Sequence, residues 1–213
     1  MQLYSFFNSS TSYRVRIALA LKGLPFETLP VNIRTGQHRE AEYVQGINPS
    51  ASVPALVDGD FTLGQSLAIM DYLDAHYPEP RLLPQDAAQR ARVLELTSLI
   101  ACDIHPVNNL RVLRYLQDVL NVTPEQKDAW YRHWIDEGMA GVERLLALHG
   151  NGSWCFGDSP TLADVTLVPQ VANALRMGCD LSAWPRAMAV YAHASAHPAF
   201  AKAAPRHQPD YTA

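Results

Sequence analysis

Along the first third of the chain, the spacing of apolar positions switches repeatedly between strand-like and helix-like. Leu3 to Phe7 is short and rich in apolar and aromatic residues, and it reads as a strand. From Ser12 to Lys22 the apolar positions Val15, Ile17, Ala18, Leu19 and Leu21 follow a helical stripe, and Gly23 stands where a glycine closes a helix. Phe26 to Val31 is a second strand, which completes a β-α-β unit. A polar stretch from Asn32 to Gln45 follows, with a short helix from about Glu40. Val53-Pro54-Ala55-Leu56-Val57, the turn Asp58-Gly59-Asp60 and Phe61-Thr62-Leu63 form a predicted hairpin. Ser66 is the expected N-cap of a helix that runs through Ile69, Tyr72 and Leu73 to Tyr77, where Pro78 ends it.

Beyond that point strand signals stop. Pro78-Glu79-Pro80 and Pro84 bracket a connector. Ala87 to Leu120 is rich in helix, with His105-Pro106 placed to kink or break it, and Glu125 to Leu148 is another amphipathic stretch. Thr161 and Asp164 make a capping-box-like pair ahead of an apolar helix through Val171, a pattern that organises folding rather than catalysis. Two short helical pieces and a tail from Pro205 end the chain. The order β-α-β-α-β-β-α followed by helices alone predicts an α/β thioredoxin-like domain over residues 1–82 and an all-helical (all-α) domain over 84–213. In that fold the X-Pro bond opening the third strand, here Val53-Pro54, is expected to be cis, which costs little only at X-Pro bonds.

Composition narrows the partners. Of 213 residues, 48% are hydrophobic and 18% charged, the balance of a chain with a real core rather than a disordered one. The net charge is −4. Divided after Leu83, each part carries −2, with no basic tail or patch, so nucleic acid and anionic membrane are not expected partners. No apolar run reaches the roughly 18 residues of a membrane span, and a strand pattern starts at once, so neither a span nor a signal peptide is expected. Three cysteines, Cys102, Cys155 and Cys179, form no Cys-x-x-Cys pair and fit a reducing, cytoplasmic setting. The eight histidines show no metal-ligand spacing, and no Gly-rich phosphate loop or Gly-x-Ser-x-Gly elbow is present. No metal is expected.

One segment is loaded with chemistry: Asn8-Ser9-Ser10-Thr11-Ser12-Tyr13-Arg14-Val15-Arg16, between the first strand and the first helix. Its hydroxyls lie at a helix N-terminus, where unpaired N–H groups and the positive end of the dipole stabilise an anion such as a thiolate. The plain alternative is that they only cap the helix.

Ser9-Ser10-Thr11-Ser12 followed by Arg14-Val15-Arg16-Ile17-Ala18-Leu19-Ala20-Leu21-Lys22-Gly23 resembles the zeta-class glutathione transferases, whose usual motif is Ser-Ser-Cys ahead of the same basic helix. Further landmarks follow in order: Asn48-Pro49, Val53-Pro54, Gln65-Ser66, His105-Pro106, Asn108-Asn109-Leu110-Arg111, Phe156-Gly157-Asp158, Leu162-Ala163-Asp164 and Gln208-Pro209-Asp210. The family includes maleylacetoacetate and maleylpyruvate isomerases. The resemblance implies glutathione as cofactor, with its thiol near Ser9 and with Ser10 and Thr11 beside it. It implies that the Val53 backbone pairs with the cysteinyl part, that Gln65 and Ser66 hold the γ-glutamyl group, and that His38, His105, Asn109, Leu110 and Arg111 lie toward the glycyl end. Arg176 matches a family arginine and is expected, partly desolvated, to hold a substrate carboxylate.

Three departures stand out: Thr11 for the usual cysteine, Ser52 for a larger polar residue, and Asn8 for a frequent arginine that would suit substrate carboxylates. The implied reaction is cis–trans isomerisation of a dicarboxylic maleyl keto acid, as in tyrosine catabolism, by thiolate addition, rotation and elimination, in a homodimer. A general glutathione transferase, an α-halo-acid dehalogenase and a non-catalytic module of the same fold are the alternatives.

Overall fold

In the computed structural model, which describes residues 1–212, the chain forms two compact units: Met1–Leu82 together with the chain from Ser195 onward, and Leu83–Ala194. The first unit holds a four-stranded sheet in the order β2-β1-β3-β4, with β1 at Gln2–Ser5, β2 at Glu27–Pro30, β3 at Ala55–Asp58 and β4 at Phe61–Gly64. β1 and β2 run parallel, whereas β3 is antiparallel to both β1 and β4. Gly59, with φ of 60°, makes the tight turn from β3 to β4. The strand expected over Leu3 to Phe7 ends early: Phe6 and Phe7 leave the sheet and join Val31, Tyr43 and Val53 in a small cluster beside it.

Helix α1, Ser10–Leu21, is buried almost all round, as its weak amphipathicity requires. It packs against α3, Ser66–His76, and against α9, Pro198–Ala203. The short α2 is Ala41–Gly46. Residues 195–212, expected above in the helical domain, group with the first unit. The reason is visible in α1: the Tyr13 hydroxyl donates to Phe200 O at 3.2 Å and Arg16 Nε to Ala203 O at 3.0 Å, bonds that cover polar groups an all-buried helix cannot leave to water. At the other end of α1, buried Lys22 Nζ donates to Asp74 Oδ1, Tyr77 O and Pro80 O at 2.7–2.9 Å, fixing the connector. Both Val53-Pro54 and Glu79-Pro80 are cis.

The second unit is helical: α4 at Ala87–Ser98, α5 at Leu110–Asp118, α6 at Pro124–His149, α7 at Leu162–Arg176 and α8 at Pro185–Ala196. α4 runs on into a wider π-type turn, Leu99–Ile104, before Pro106 stops it. Gly138 lets α6 come close: a Cβ there would lie 2.1 Å from Ile104 Cγ1. Pro169 sits inside α7 and removes one of its internal hydrogen bonds, a feature the apolar pattern concealed. No described helix is long and apolar enough to cross a membrane.

Candidate glutathione site

Within the first unit, the serine-rich segment folds as the start of α1. Ser9 is its N-cap, in extended conformation, and its Oγ accepts from Ser12 N–H at 3.2 Å. Ser9 and Thr11 are half-buried, while Ser10 and Ser12 are buried, so the hydroxyls nearest solvent are those of Ser9 and Thr11. These two share a hydrogen bond of 2.9 Å, and Thr11 Oγ1 donates to Val53 O at 3.1 Å. Thr11, the residue in place of the usual cysteine, thus ties the start of α1 to the cis Val53-Pro54 turn. Asn8 is half-buried in the turn before Ser9.

Asn48 organises the neighbouring loop. Its Nδ2 donates to Ser52 O at 2.8 Å, and its Oδ1 accepts from the Ser50 amide and hydroxyl at 3.1 and 2.8 Å. The Tyr43 hydroxyl donates to the same Ser52 carbonyl at 2.7 Å, and burial pushes that phenol up to about 12, which keeps it a donor. The amide of Asn48 also presses on Gly64: a Cβ at Gly64 would lie 2.9 Å from Asn48 Oδ1. One side chain therefore sets both the Ser52-Val53 backbone and the strand end leading to Gln65-Ser66. Ser52, smaller than the usual residue there, shares a 2.9 Å bond with Ser50.

Gln65, not Ser66, is the N-cap of α3. Gln65 has φ 67° and ψ 116°, a strained backbone for a residue with a Cβ. Ser66 is the first residue inside the helix and is buried, with its Oγ accepting from Arg14 Nη1 at 3.4 Å. The shift by one residue follows from that strained turn, which puts the Gln65 side chain out and the Ser66 hydroxyl in. His38 lies on a separate segment, the short turn Gln37–Arg39, and is half-buried.

Arg14 and Arg16 are the residues that pattern reading left without a role. Both sit at 1% exposure, and on a helix without a polar face such side chains must have internal duties. Arg16 donates to Ser5 Oγ, Phe6 O and Phe7 O at 2.9, 3.3 and 3.0 Å. Burial lowers its pKa to about 10, with Asp210 opposing the shift.

In the second unit, His105 ends the π-type turn and Asn109 caps α5, its Oδ1 accepting from the amides of Arg111 and Val112. That capping role leaves Asn109 only its amide N–H groups for a ligand. Leu110 is half-buried and Arg111 exposed. Asn108 Nδ2 to Tyr131 O and Trp130 Nε1 to Val107 O, at 3.0 and 2.9 Å, hold the loop that carries them. Arg176 is not desolvated as expected. It is the exposed last residue of α7, bonded to Asn173 Oδ1 at 2.6 Å, because Gly178, at φ 73°, ends the helix and leaves Leu175 and Arg176 on its outer face.

The donor set fits a ligand with a thiol and carboxylates: hydroxyls, two helix starts and no acidic residue in the first turn of α1 or α3. Comparison with known proteins settles the family. Residues 1–75 match the glutathione S-transferase N-terminal domain. The chain is 49% identical to the maleylacetoacetate isomerase of Pseudomonas aeruginosa over 99% of its length and 98% of that protein. It superposes on a bacterial maleyl pyruvate isomerase, described as a zeta-class glutathione transferase, with TM-score 0.97 and 45% identity over the whole of both chains. The chain belongs to the zeta class of glutathione transferases. A further relative, the maleylacetoacetate isomerase of Anaeromyxobacter dehalogenans, was solved with glutathione in its active site; it matches with TM-score 0.87 and 38% identity over 98% of this chain and 96% of its own.

Proposed function

We propose that this protein is a glutathione-dependent isomerase that converts maleylacetoacetate, or maleylpyruvate, to its fumaryl isomer. The observation that carries this reading is the Ser9–Thr11–Val53 chain of hydrogen bonds at an acid-free helix start, in a chain whose relatives over nearly full length are isomerases of these acids. Bound glutathione supplies a thiol that adds to the cis double bond, permits rotation about the resulting single bond and is eliminated unchanged. The Ser9 hydroxyl, which donates to Thr11 Oγ1 while Thr11 donates to Val53 O, turns its proton to the thiolate once glutathione is bound, a charge-assisted bond worth about 1.5–3 kcal/mol, and the N-terminus of α1 adds its dipole. Ser10 and Thr11 position that hydroxyl. The Val53 backbone pairs with the cysteinyl unit as a strand edge does. Gln65 and Ser66 take the γ-glutamyl group, with the Arg14 charge behind Ser66. His38, His105, Asn109, Leu110 and Arg111 serve the glycyl end, and Arg176 with Asn8 serves substrate carboxylates.

The protein works as a cytoplasmic homodimer. An exposed aromatic ladder supports the dimer: Phe61, 46% exposed, stacks on Tyr72 at 5.0 Å, and Tyr72 packs on His76 at 4.1 Å. The three cysteines are free thiols, in keeping with a reducing compartment.

The test is direct. The purified protein should isomerise a maleyl keto acid only when free glutathione is present, and should be retained on immobilised glutathione. Halide release from an α-halo acid without isomerisation would favour the transferase reading, and retention without any turnover would make it a binding module.

A further inference from the structure

We infer that Asp210, beside the carboxyl terminus, and Arg16 are positioning residues that together hold the Phe6–Ser9 turn and so set the geometry in which Ser9 meets the thiolate. This rests on the reading of Ser9 given above.

The turn leaves the sheet at Ser5 and must present Ser9 within three residues. Its backbone polar groups have no strand to pair with, and buried ones need partners. Two side chains supply them. Asp210 Oδ2 accepts from Phe7 N–H at 2.8 Å. Arg16 Nη2 donates to Phe7 O at 3.0 Å and Arg16 Nη1 to Phe6 O at 3.3 Å. The Ser9 amide donates to that same Phe6 carbonyl at 3.0 Å, so the clamp lies one hydrogen bond from the proposed catalytic residue. Asp210 and Arg16 carry opposite charges that favour one another. The tail is itself held: Gln208 Nε2 donates to Ala204 O at 3.0 Å, Tyr211 N–H to Gln208 O at 3.1 Å, and the Tyr211 ring meets Phe7 edge-on at 5.5 Å.

Arg16 is buried and built into α1, so its loss would damage the fold. Asp210 is only half-buried in a tail that adds little to the core, and its contact with the turn spans 203 positions of sequence. A bond of that kind, far along the chain yet next to the site, places the turn without being needed to form the sheet. Because a misplacement of about 1 Å at a reacting group costs up to roughly 10²-fold, a slack turn should show in turnover before it shows in stability.

The experiment compares five variants for turnover and for titration of the glutathione thiol bound to each, followed by thiolate ultraviolet absorbance. Asp210→Ala should lower kcat about 10-fold, well inside that bound, and shift the thiol titration to higher pH, while changing the KM for glutathione little. Truncation after Gln208 should do the same. Asp210→Asn keeps an acceptor for Phe7 N–H and should recover most of the loss. In the Ser9→Ala background Asp210→Ala should add almost nothing, since both act through one hydroxyl. If Ser9→Ala moves the titration and Asp210→Ala does not, or if the two losses multiply, the inference is wrong and the Ser9 reading stands. If Ser9→Ala leaves the titration unmoved, the Ser9 reading falls and takes the inference with it.

Discussion

Two helices of this protein are capped by a hydroxyl residue, and they use the same physics to opposite ends. α7 begins with Thr161 and carries Asp164 three positions on. That carboxylate is 0% exposed and accepts from the amides of Cys155 and Thr161 and from the Thr161 hydroxyl, at 2.7–2.9 Å. α1 begins with Ser9, has no acid in its first turn, and leaves two half-buried hydroxyls beside its first N–H groups. The anion-binding capacity of a helix start is thus consumed internally in α7 and kept for a ligand in α1. The thiols near each follow suit. Cys155, beside Asp164, is pushed well above the ordinary thiol range by burial and by the carboxylate, whereas the start of α1 favours a thiolate.

The largest effect should come from breaking the filled site. Asp164→Ala strands three buried donors in a network with no route to water, and a loss of about 3–5 kcal/mol is expected in denaturant melts. Burial also raises the Asp164 carboxyl above its unfolded value. The native chain therefore holds that proton more tightly than the unfolded one, so this group's contribution is fully present below the unfolded pKa and is lost as pH rises through the folded one. Asp164→Asn does not titrate, and the stability gap between wild type and this variant should widen on acidification. A gap that narrows instead would show the hydrogen bonds outweighing burial.

Ser9→Ala should show the opposite profile: an N-cap loss of about 1 kcal/mol in stability, yet turnover lower by roughly 10- to 150-fold, the equivalent of about 1.5–3 kcal/mol. Full activity in Ser9→Ala with loss in Ser10→Ala would move the role to the buried neighbour. Smaller again is Thr11→Asp, which gives α1 the acid that α7 already has. A carboxylate cannot donate to Val53 O, so fold stability should fall by about 1 kcal/mol, while its charge repels the thiolate and raises the bound thiol by about one pKa unit. An unchanged thiol titration would mean that the start of α1 plays no electrostatic part.

Much of this contrast was legible in the residues. Thr161-x-x-Asp164 is a local pattern, and its geometry depends on four consecutive residues, so sequence reads it directly. The serine run was equally visible, but its setting depends on Val53, 42 positions from Thr11, and on the turn before it, where Phe7 meets Asp210 203 positions away, contacts that exist only in the folded chain. Arg14 and Arg16 were visible as part of the loaded segment and its basic helix, but their burial was not; the packing of α9 on α1 leaves that helix no polar face. Arg176 erred the other way. Its neighbours Leu175 and Met177 suggested shelter, but Leu175 is itself 41% exposed where Gly178 ends the helix. The N-cap of α3 was expected at Ser66, one position late, because a non-glycine residue at φ 67° such as Gln65 is not an expectation that pattern rules supply.

The smallest expected effect concerns the thiols themselves. Cys102 is exposed, whereas Cys155 and Cys179 are buried and both are raised by desolvation. Alkylation needs the thiolate and access to it, and Cys155 lacks both, since Asp164 disfavours its ionisation and the start of α7 covers it. Under native conditions a thiol reagent should therefore add one group per chain, at Cys102, with Cys155 and Cys179 reacting only on unfolding. In Asp164→Ala, held folded at low temperature, the carboxylate's opposition is gone and Cys155 should begin to label slowly, while the rate at Cys102 stays as it was. Rapid labelling of Cys155 in the wild-type fold would show that the start of α7 is open after all, and the contrast with α1 would then rest on Ser9 alone.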